Sequence, residues 1–327
     1  MPRWPLFLRI AAVAAPALLI AHGAGWWLLS RQVAAGWDAW VEAERAQGVS
    51  VSGGARTFTG WPLAGGVEVP DISVAGPGWR WTSGLVGVTV RPWALGRLRV
   101  EPHGRQTLTA GALAATGEAR AALLTVALPL GDEPVLELSG LALETPFGPV
   151  AVGHVEGRLH AGDATELGLS LREVELPPGP AYLLGRSVAG ASLEASLPGP
   201  APAPRAPDLA AWRDAGGVAR IDAARLQWGA LTADASGTAS LDRSLQPLAD
   251  LRVALTGQDA ALDQAVARGL IQARAATAVR AVLTLLARAS PAPGSPAGAL
   301  PVSVRDGTVS LAGFPVARFP AVAWPDR

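Results

Sequence analysis

Short runs of alternating apolar and polar residues fill the chain from residue 49 to residue 197. Two clear examples are LVGVTV at 85–90 and VLELSGLALE at 135–144, and Gly or Pro separates successive runs. A period of two places neighbouring side chains on opposite faces of a strand, so that one face can be buried and the other solvated. The pattern therefore predicts a mainly β region at 49–197, forming a large antiparallel curved sheet, a sandwich or a half-barrel.

The alternation resumes after a proline-rich interruption. Residues 198–208 include five prolines and cannot pair as a strand, which predicts a linker or long loop. Residues 209–327 then continue the β region with two local exceptions. Apolar residues recur at helical spacing through 259–289, which predicts one long helix near the C-terminus. Asp306-Gly307 lies between two alternating segments and predicts a terminal hairpin at 302–311 with a type I′ turn.

The N-terminal segment 1–30 carries a long apolar stretch. The twenty residues that follow Arg9 have no formal charge, and as a helix they would extend about 30 Å, the thickness of a bilayer core. We therefore predict a transmembrane helix that anchors the chain. The predicted anchor residues lie at the two boundaries of this stretch: Arg9, Ile10, Trp26, Trp27 and Leu29.

The charges that flank the apolar stretch predict its orientation. Arg3 and Arg9 precede it, and acidic residues soon follow Arg31 on the other side. The positive-inside rule then predicts a single-pass protein of a bacterial inner membrane, with a cytoplasmic N-terminus and a periplasmic C-terminal domain. A cleaved signal peptide, with small residues at 21–24, is the alternative. The two tryptophans at 26–27 favour an uncleaved anchor, because Trp is enriched at membrane interfaces.

Residues 31–48 predict a short amphipathic helix that continues the anchor. Val33, Trp37, Trp40 and Val41 share one helical face, and Gly48 suits the C-terminal cap. The two tryptophans would pack on the β domain or lie on the outer membrane surface. Core packing is the commoner use of such an apolar stripe, so we expect contact with the β domain.

The composition excludes several classes of function. Lys+Arg and Asp+Glu are both 27, so the chain has no net charge that would attract nucleic acid. All basic residues are Arg, and Lys, Asn and Cys do not occur. A Walker A loop, a Schiff-base lysine, a thiolate nucleophile, a thiolate metal site and a disulfide are therefore impossible in this chain.

Candidate chemistry is sparse in the β region. His154 and His160 have the same parity on a predicted strand, but six residues of extended chain separate them by about 20 Å, too far for one metal ion. Gly185-Arg186-Ser187-Val188-Ala189 resembles a nucleophile elbow poorly, and no His follows residue 160 to complete a triad. We predict no catalytic, cofactor-binding or metal-binding residues, and therefore no enzyme.

Several short motifs occur along the chain in this order: Trp37-Asp38-Ala39-Trp40, Gly60-Trp61-Pro62-Leu63, Trp79-Arg80-Trp81, Arg91-Pro92-Trp93, Leu226-Gln227-Trp228-Gly229 and Asp306-Gly307-Thr308-Val309-Ser310-Leu311. Their order resembles an uncharacterised alphaproteobacterial envelope family, the domain-of-unknown-function family 2125. The similarity extends over nearly all of the chain after the anchor. It departs from the expected family motif Gly-Tyr/Phe-Pro-Phe by having Trp61 and Leu63 at the two aromatic positions. No catalytic residues are attached to that family, so the resemblance implies none here.

Three hypotheses of function follow from the anchor, the high apolar content and the many strands. The first is a noncatalytic envelope protein that binds or handles lipid in an apolar β groove, in loose similarity to AsmA-like and β-taco periplasmic proteins. The second is a structural or assembly adaptor that binds another envelope protein through an exposed sheet edge. The third is a cryptic hydrolase, which would need a cluster of titratable side chains in a cleft.

Overall fold

A computed structural model describes residues 6–110, 113–128, 134–146, 148–178, 182, 184–203, 205–289 and 299–324. The helices are α1 (Leu6–Ala46), α2 (Ala206–Asp214), α3 (Gln258–Ala267) and α4 (Ala273–Ala289). The strands are β1 (Ser50–Ser52), β2 (Thr57–Thr59), β3 (Gly65–Gly76), β4 (Trp79–Arg91), β5 (Ala94–Ala110), β6 (Leu113–Ala127), β7 (Val135–Thr145), β8 (Gly148–Ala161), β9 (Ala164–Glu175), β10 (Ser187–Pro198), β11 (Ala219–Trp228), β12 (Leu231–Leu241), β13 (Pro247–Thr256), β14 (Leu300–Arg305), β15 (Thr308–Leu311) and β16 (Phe314–Arg318).

All of these strands belong to one antiparallel sheet. From β3 to β16 each strand pairs with the strand that follows it in the chain, while β1 and β2 both pair with β3. The sheet is open, because the first and last strands of this order do not pair with each other. The predicted large antiparallel curved sheet is therefore confirmed. The described strands make one layer, not the two layers of a sandwich.

The register of the strands gives the sheet one apolar face and one polar face. A single row of cross-strand partners takes one residue from each strand from β3 to β14, and every member is apolar or Gly. We call it the apolar row: Val67, Val88, Val100, Leu124, Leu136, Gly157, Leu169, Leu193, Ala224, Ala235, Val253 and Leu300. A parallel row on the opposite face includes Glu137, Glu156, Ser170, Ser192, Arg225 and Asp234.

Helix α1 covers the apolar face at its N-terminal end. Val33 and Val41 of α1 are buried against a cluster that includes Val67, Val86 and Val88. Trp37 and Trp40 pack against this cluster, as predicted for the stripe of 31–48. This is the main hydrophobic core of the described residues, and it lies beneath α1 on β1, β3 and β4.

Helix α1 runs alongside β3 in the same direction. The Gly66 amide donates to Ser30 Oγ at 3.1 Å, and Arg45 donates to the carbonyl of Val51, the register partner of Val74. Fifteen helical residues advance about 22 Å, and eight strand residues advance about 26 Å. The similar lengths explain why contacts continue along the whole of this pair.

The structure locates three of the predicted local segments. The terminal hairpin is confirmed, since Asp306 and Gly307 both have positive φ, at 51° and 67°. The helix predicted at 31–48 is the last part of α1 and ends at Ala46. The proline-rich segment 198–208 does not divide the sheet, because β10 pairs with β11 and α2 begins within this segment.

The prediction of one long helix at 259–289 was wrong. The segment forms α3 and α4, which are separated by five residues from 268 to 272. Gly269 has φ of 70°, and the Leu270 amide bonds back to the carbonyl of Ala265. A left-handed Gly followed by such a bond is a common way to end a helix. The helical spacing was therefore correct on each side of a break that it did not reveal.

Among the residues that the structure describes, no helix combines the length and the apolarity needed to cross a membrane. The transmembrane anchor therefore stays a prediction. Arg9 and Ile10 lie within α1, but their side chains are outside the described part of the chain.

Candidate functional site

Side chains of the apolar row become accessible to solvent beyond the strands that α1 covers. Val67 and Val88 beneath α1 are 0% and 3% exposed, whereas Leu169, five strands beyond β4, is 37% exposed. Leu124, Leu136 and Leu193 are half-buried. The chain has an accessible surface of 19754 Å², against about 13,000 Å² for a compact protein of this mass. An apolar surface of several strands thus remains open to a ligand.

The polar face of the same strands carries charged side chains in pairs. Arg225 donates to Asp234 at 2.6 Å, and Arg305 donates to Asp250 at 2.8 Å. The hydrogen bond that Arg225 donates to Asp234 raises the pKa of Arg225, which stays charged. Arg225, Asp234 and Asp250 line a hollow of about 960 Å³, and His154 lines a second hollow of about 650 Å³.

The charged side chains of the polar face are arranged mainly as pairs. Within the described ranges, no group of three or more His, Asp or Glu side chains could hold a metal ion. His154 and His160 lie on the same face of β8, as their parity predicted, with register partners Arg172 and Glu166. The paired charges are suited to solvation of the outer face of a sheet.

A cluster of aromatic side chains joins α1 to the adjacent end of the sheet. His22 Nε2 donates to the carbonyl of Pro62 at 2.8 Å, and Trp26 Nε1 donates to the carbonyl of Thr59 at 3.2 Å. The Trp61 ring lies 4.8 Å from the ring of His22 and 5.8 Å from that of Trp26. These contacts hold the turn after β2 against α1.

Exposed apolar side chains surround this junction. We call them the junction patch: Phe58, Trp61, Leu63, Trp93 and Leu95, with exposed fractions of 43%, 50%, 64%, 65% and 59%. Pro62, Pro92 and Leu95 line a hollow of about 440 Å³ together with residues of α1. The turn after β2 and the turn between β4 and β5 therefore meet beside α1.

The structure gives the predicted anchor residues different surroundings. Trp26 contacts the junction patch, and Leu29 packs on the core beside Gly65. Trp27 is 44% exposed, and the Arg31 guanidinium lies 4.8 Å from its ring centre. Two of the three described anchor residues thus bind the helix to the β domain.

Sequence reasoning did not identify the junction patch as a site. Tryptophans near alternating strands commonly pack on a core, which holds for Trp79 and Trp81 but not for Trp61 and Trp93 of the patch. The useful signal was the prolines at 62 and 92, which place the adjacent tryptophans in turns rather than in strands.

A salt bridge also connects α1 to the β domain, nearer the C-terminal end of the helix. Arg56 donates to both carboxylate oxygens of Asp38, at 2.9 Å to Oδ2. The hydrogen bond from Arg56 lowers the pKa of Asp38. This pair ties the loop before β2 to the helix.

Taken together, the fold and these surfaces define a class of protein: an open antiparallel meander with an N-terminal helix and an uncovered apolar face. Residues 26–320 match the family described as "Uncharacterized protein conserved in bacteria (DUF2125)". The chain therefore belongs to this family, as the resemblance of its motifs indicated. Neither the curated proteins nor the solved structures contain a match to the chain. Similarity to AsmA-like proteins stays a prediction.

Proposed function

We propose that this chain is a noncatalytic, membrane-anchored envelope protein that binds lipid acyl chains on its apolar face. The observation that carries the proposal is the apolar row, which crosses twelve strands without one polar member. A sheet face that only contacts water does not need an unbroken row of apolar side chains. A bound hydrocarbon chain does need one, because any polar side chain of the sheet beneath it would lose its water without gaining a hydrogen-bond partner.

The dimensions and energies favour an extended apolar ligand. Strands β6 to β13 are eight neighbours outside the cover of α1, and at about 4.8 Å per strand the row between them is about 34 Å long. Each methylene group transferred from water to such a surface contributes about 0.8 kcal/mol. A chain of many methylenes can therefore bind by apolar contact alone, with the polar headgroup left in solvent.

The first half of α1 supports membrane anchoring. Leu18, Leu19 and Ile20 are 70%, 64% and 72% exposed, so the β domain does not cover them. A bilayer would bury these side chains, and the positive-inside rule would place the preceding arginines in the cytoplasm. We propose an inner-membrane location with the β domain in the periplasm. A reporter active only in the periplasm, fused after residue 327, should be active, and activity of a cytoplasmic reporter at the same position would contradict this orientation.

Lipid binding can be tested with a pair of adjacent substitutions on β10. Leu193 lies in the apolar row between Leu169 and Ala224, whereas Ser192 lies on the polar face between Ser170 and Arg225. The full chain would be photocrosslinked in membranes to lipids that carry a diazirine in the acyl chain. Only crosslinks located by mass spectrometry within β6 to β13 would be compared, because α1 would crosslink to the bilayer in every variant. Leu193→Glu should reduce crosslinking strongly, and Ser192→Glu should leave it unchanged. Equal crosslinking of both variants and the unaltered chain would exclude the apolar face as the binding surface.

The adaptor hypothesis has one observation in its favour. β16 pairs only with β15 within the described sheet, and its Phe314 is 63% exposed. Its five-residue length and Pro315 restrict the addition of another strand, because proline cannot donate a backbone hydrogen bond. Recovery of one defined envelope protein by crosslinking from a residue of β16 would support this second function.

A further inference from the structure

The junction patch is an apolar surface that has no charge within its turns and has arginines beside it. All of the patch except Phe58 comes from two segments: the turn at 60–64, and residues 92–96, which comprise the β4–β5 turn and the start of β5. Neither segment contains a charged residue. Arg91 and Arg97 flank the second turn, and both are exposed, as is Arg31 of α1. An uncharged aromatic surface with arginines at its rim matches the chemistry of a membrane interface, where Trp rings lie at headgroup level and cations contact lipid phosphates.

The fold places this patch at the membrane end of the β domain. β3 begins and β4 ends at the level of the junction, and the exposed residues Leu18–Ile20 of α1 lie just N-terminal to His22, which is bonded to the first turn. Because α1 runs along β3, an α1 that enters a bilayer directs these two turns toward the same bilayer surface. The apolar surface of the helix therefore continues directly into the junction patch.

We propose that the junction patch docks the β domain on the lipid bilayer, with Trp61, Leu63, Trp93 and Leu95 inserted into the interface. This inference rests on the proposed membrane anchoring of α1, but not on lipid binding by the apolar face. The hydrogen bonds of His22 and Trp26 to the turn after β2 make helix and patch one rigid contact. The bilayer then holds the β domain in a fixed orientation, rather than letting it pivot on a flexible tether.

A second copy of this chain is the other conceivable occupant, and the charge pattern argues against it. Two facing copies would bring Arg31, Arg91 and Arg97 of each copy near the same three arginines of the other. Glu68, which neighbours the patch, is half-buried and already accepts a hydrogen bond from Thr59 Oγ1. A bilayer that contains anionic lipid instead provides many phosphates for these arginines.

The absence of cysteine makes the docking directly measurable. A single cysteine would be introduced into the full chain at Leu63 or Trp93 and labelled with an environment-sensitive fluorophore. Leu19→Cys reports on the insertion of α1, and Arg80→Cys, at the far end of β4, is the matched control on the β domain. Each labelled chain is reconstituted into vesicles of phosphatidylethanolamine and phosphatidylglycerol. Quenching is then measured with aqueous iodide and with lipids spin-labelled near the headgroup.

Docking predicts that labels at positions 63 and 93 are quenched by the spin-labelled lipid and protected from iodide, while the label at position 80 shows the opposite pattern. If the labels at 63 and 93 respond to iodide as fully as the label at 80 while position 19 is protected, the anchor stands and docking is refuted. If position 19 is also accessible to iodide, anchoring and docking both fail. Protection at 63 and 93 without quenching by lipid means that protein covers the patch, and it refutes bilayer docking.

Discussion

Replacing Ser30 by alanine tests whether α1 is locked to the sheet by a specific polar contact. Ser30 is 0% exposed, and its Oγ accepts a hydrogen bond from the Gly66 amide at 3.1 Å. Gly66 is itself buried. Alanine removes the acceptor without adding bulk, and no solvent can reach the amide in its place. Ser30→Ala therefore leaves a buried backbone donor without its partner.

The cost of that change can be bounded. Leaving a buried donor unsatisfied typically costs about 1–3 kcal/mol, more than the net contribution of an average hydrogen bond. Ser50 provides a matched control in the same region. Its Oγ donates to the carbonyl of Ala75 at 3.2 Å, but it is exposed, so water can replace it. Ser50→Ala should cost less than about 0.5 kcal/mol.

Urea unfolding of the full chain in detergent micelles, followed by tryptophan fluorescence, measures both changes. Trp37 and Trp40 pack at the interface between α1 and the sheet, so the fluorescence reports on the relevant contact. The midpoint of Ser30→Ala should fall well below that of Ser50→Ala, with an unchanged slope. Equal midpoints for the two variants would refute the view that the junction of α1 with β3 is dry and specific.

Three further predictions concern single contacts. Gly65→Ala should destabilise the junction by about 1–3 kcal/mol through overpacking, because a Cβ at 65 would lie 2.9 Å from Leu29 Cβ and Cγ. Gly84→Ala is the control in the same unfolding assay, because a Cβ at 84 would make only an ordinary contact of 3.8 Å with the carbonyl oxygen of His103. NMR titration should give Asp38 a lowered pKa, and Arg56→Gln should return that pKa to its ordinary value. Any stability from this exposed pair is therefore complete above about pH 4 and is lost as the pH falls through the folded-state pKa of Asp38. Gly307→Val, at φ of 67°, should accelerate amide hydrogen exchange in β14 and β15 while that in β3 stays unchanged.

The alternating pattern predicted the sheet well, because period two is visible within each strand and does not depend on distant residues. It identified Val86, Val88 and Val90 as one face of a strand before any partner was known. It could not predict that Leu169 and Leu193 would stand side by side, since their alignment depends on the turn between strands and on bulges. The apolar row is therefore a property of register, and only the structure reveals it.

The candidate site was less predictable for a related reason. The sequence marked Trp26 as a boundary residue by its distance along the apolar stretch. Its bond to the carbonyl of Thr59, thirty-three residues away, has no local signature. The same holds for His22 and Pro62, which are forty residues apart. The break at Gly269 was missed because helical spacing continues on both sides of it.

The meander has a consequence for how the sheet can form. Each strand from β4 to β16 pairs with the strand immediately before it in the chain, so the order of synthesis is also the order in space. No strand has to enter between two partners that are already paired. Most connections are short, which keeps the entropic cost of closing them low. The longer ones, after β10 and β13, contain α2 and the α3–α4 pair. Formation of the sheet can therefore begin with the strands beneath α1, and each added strand contributes one residue to the apolar row. A chain truncated after any hairpin would keep the junction with α1 and simply have a shorter row.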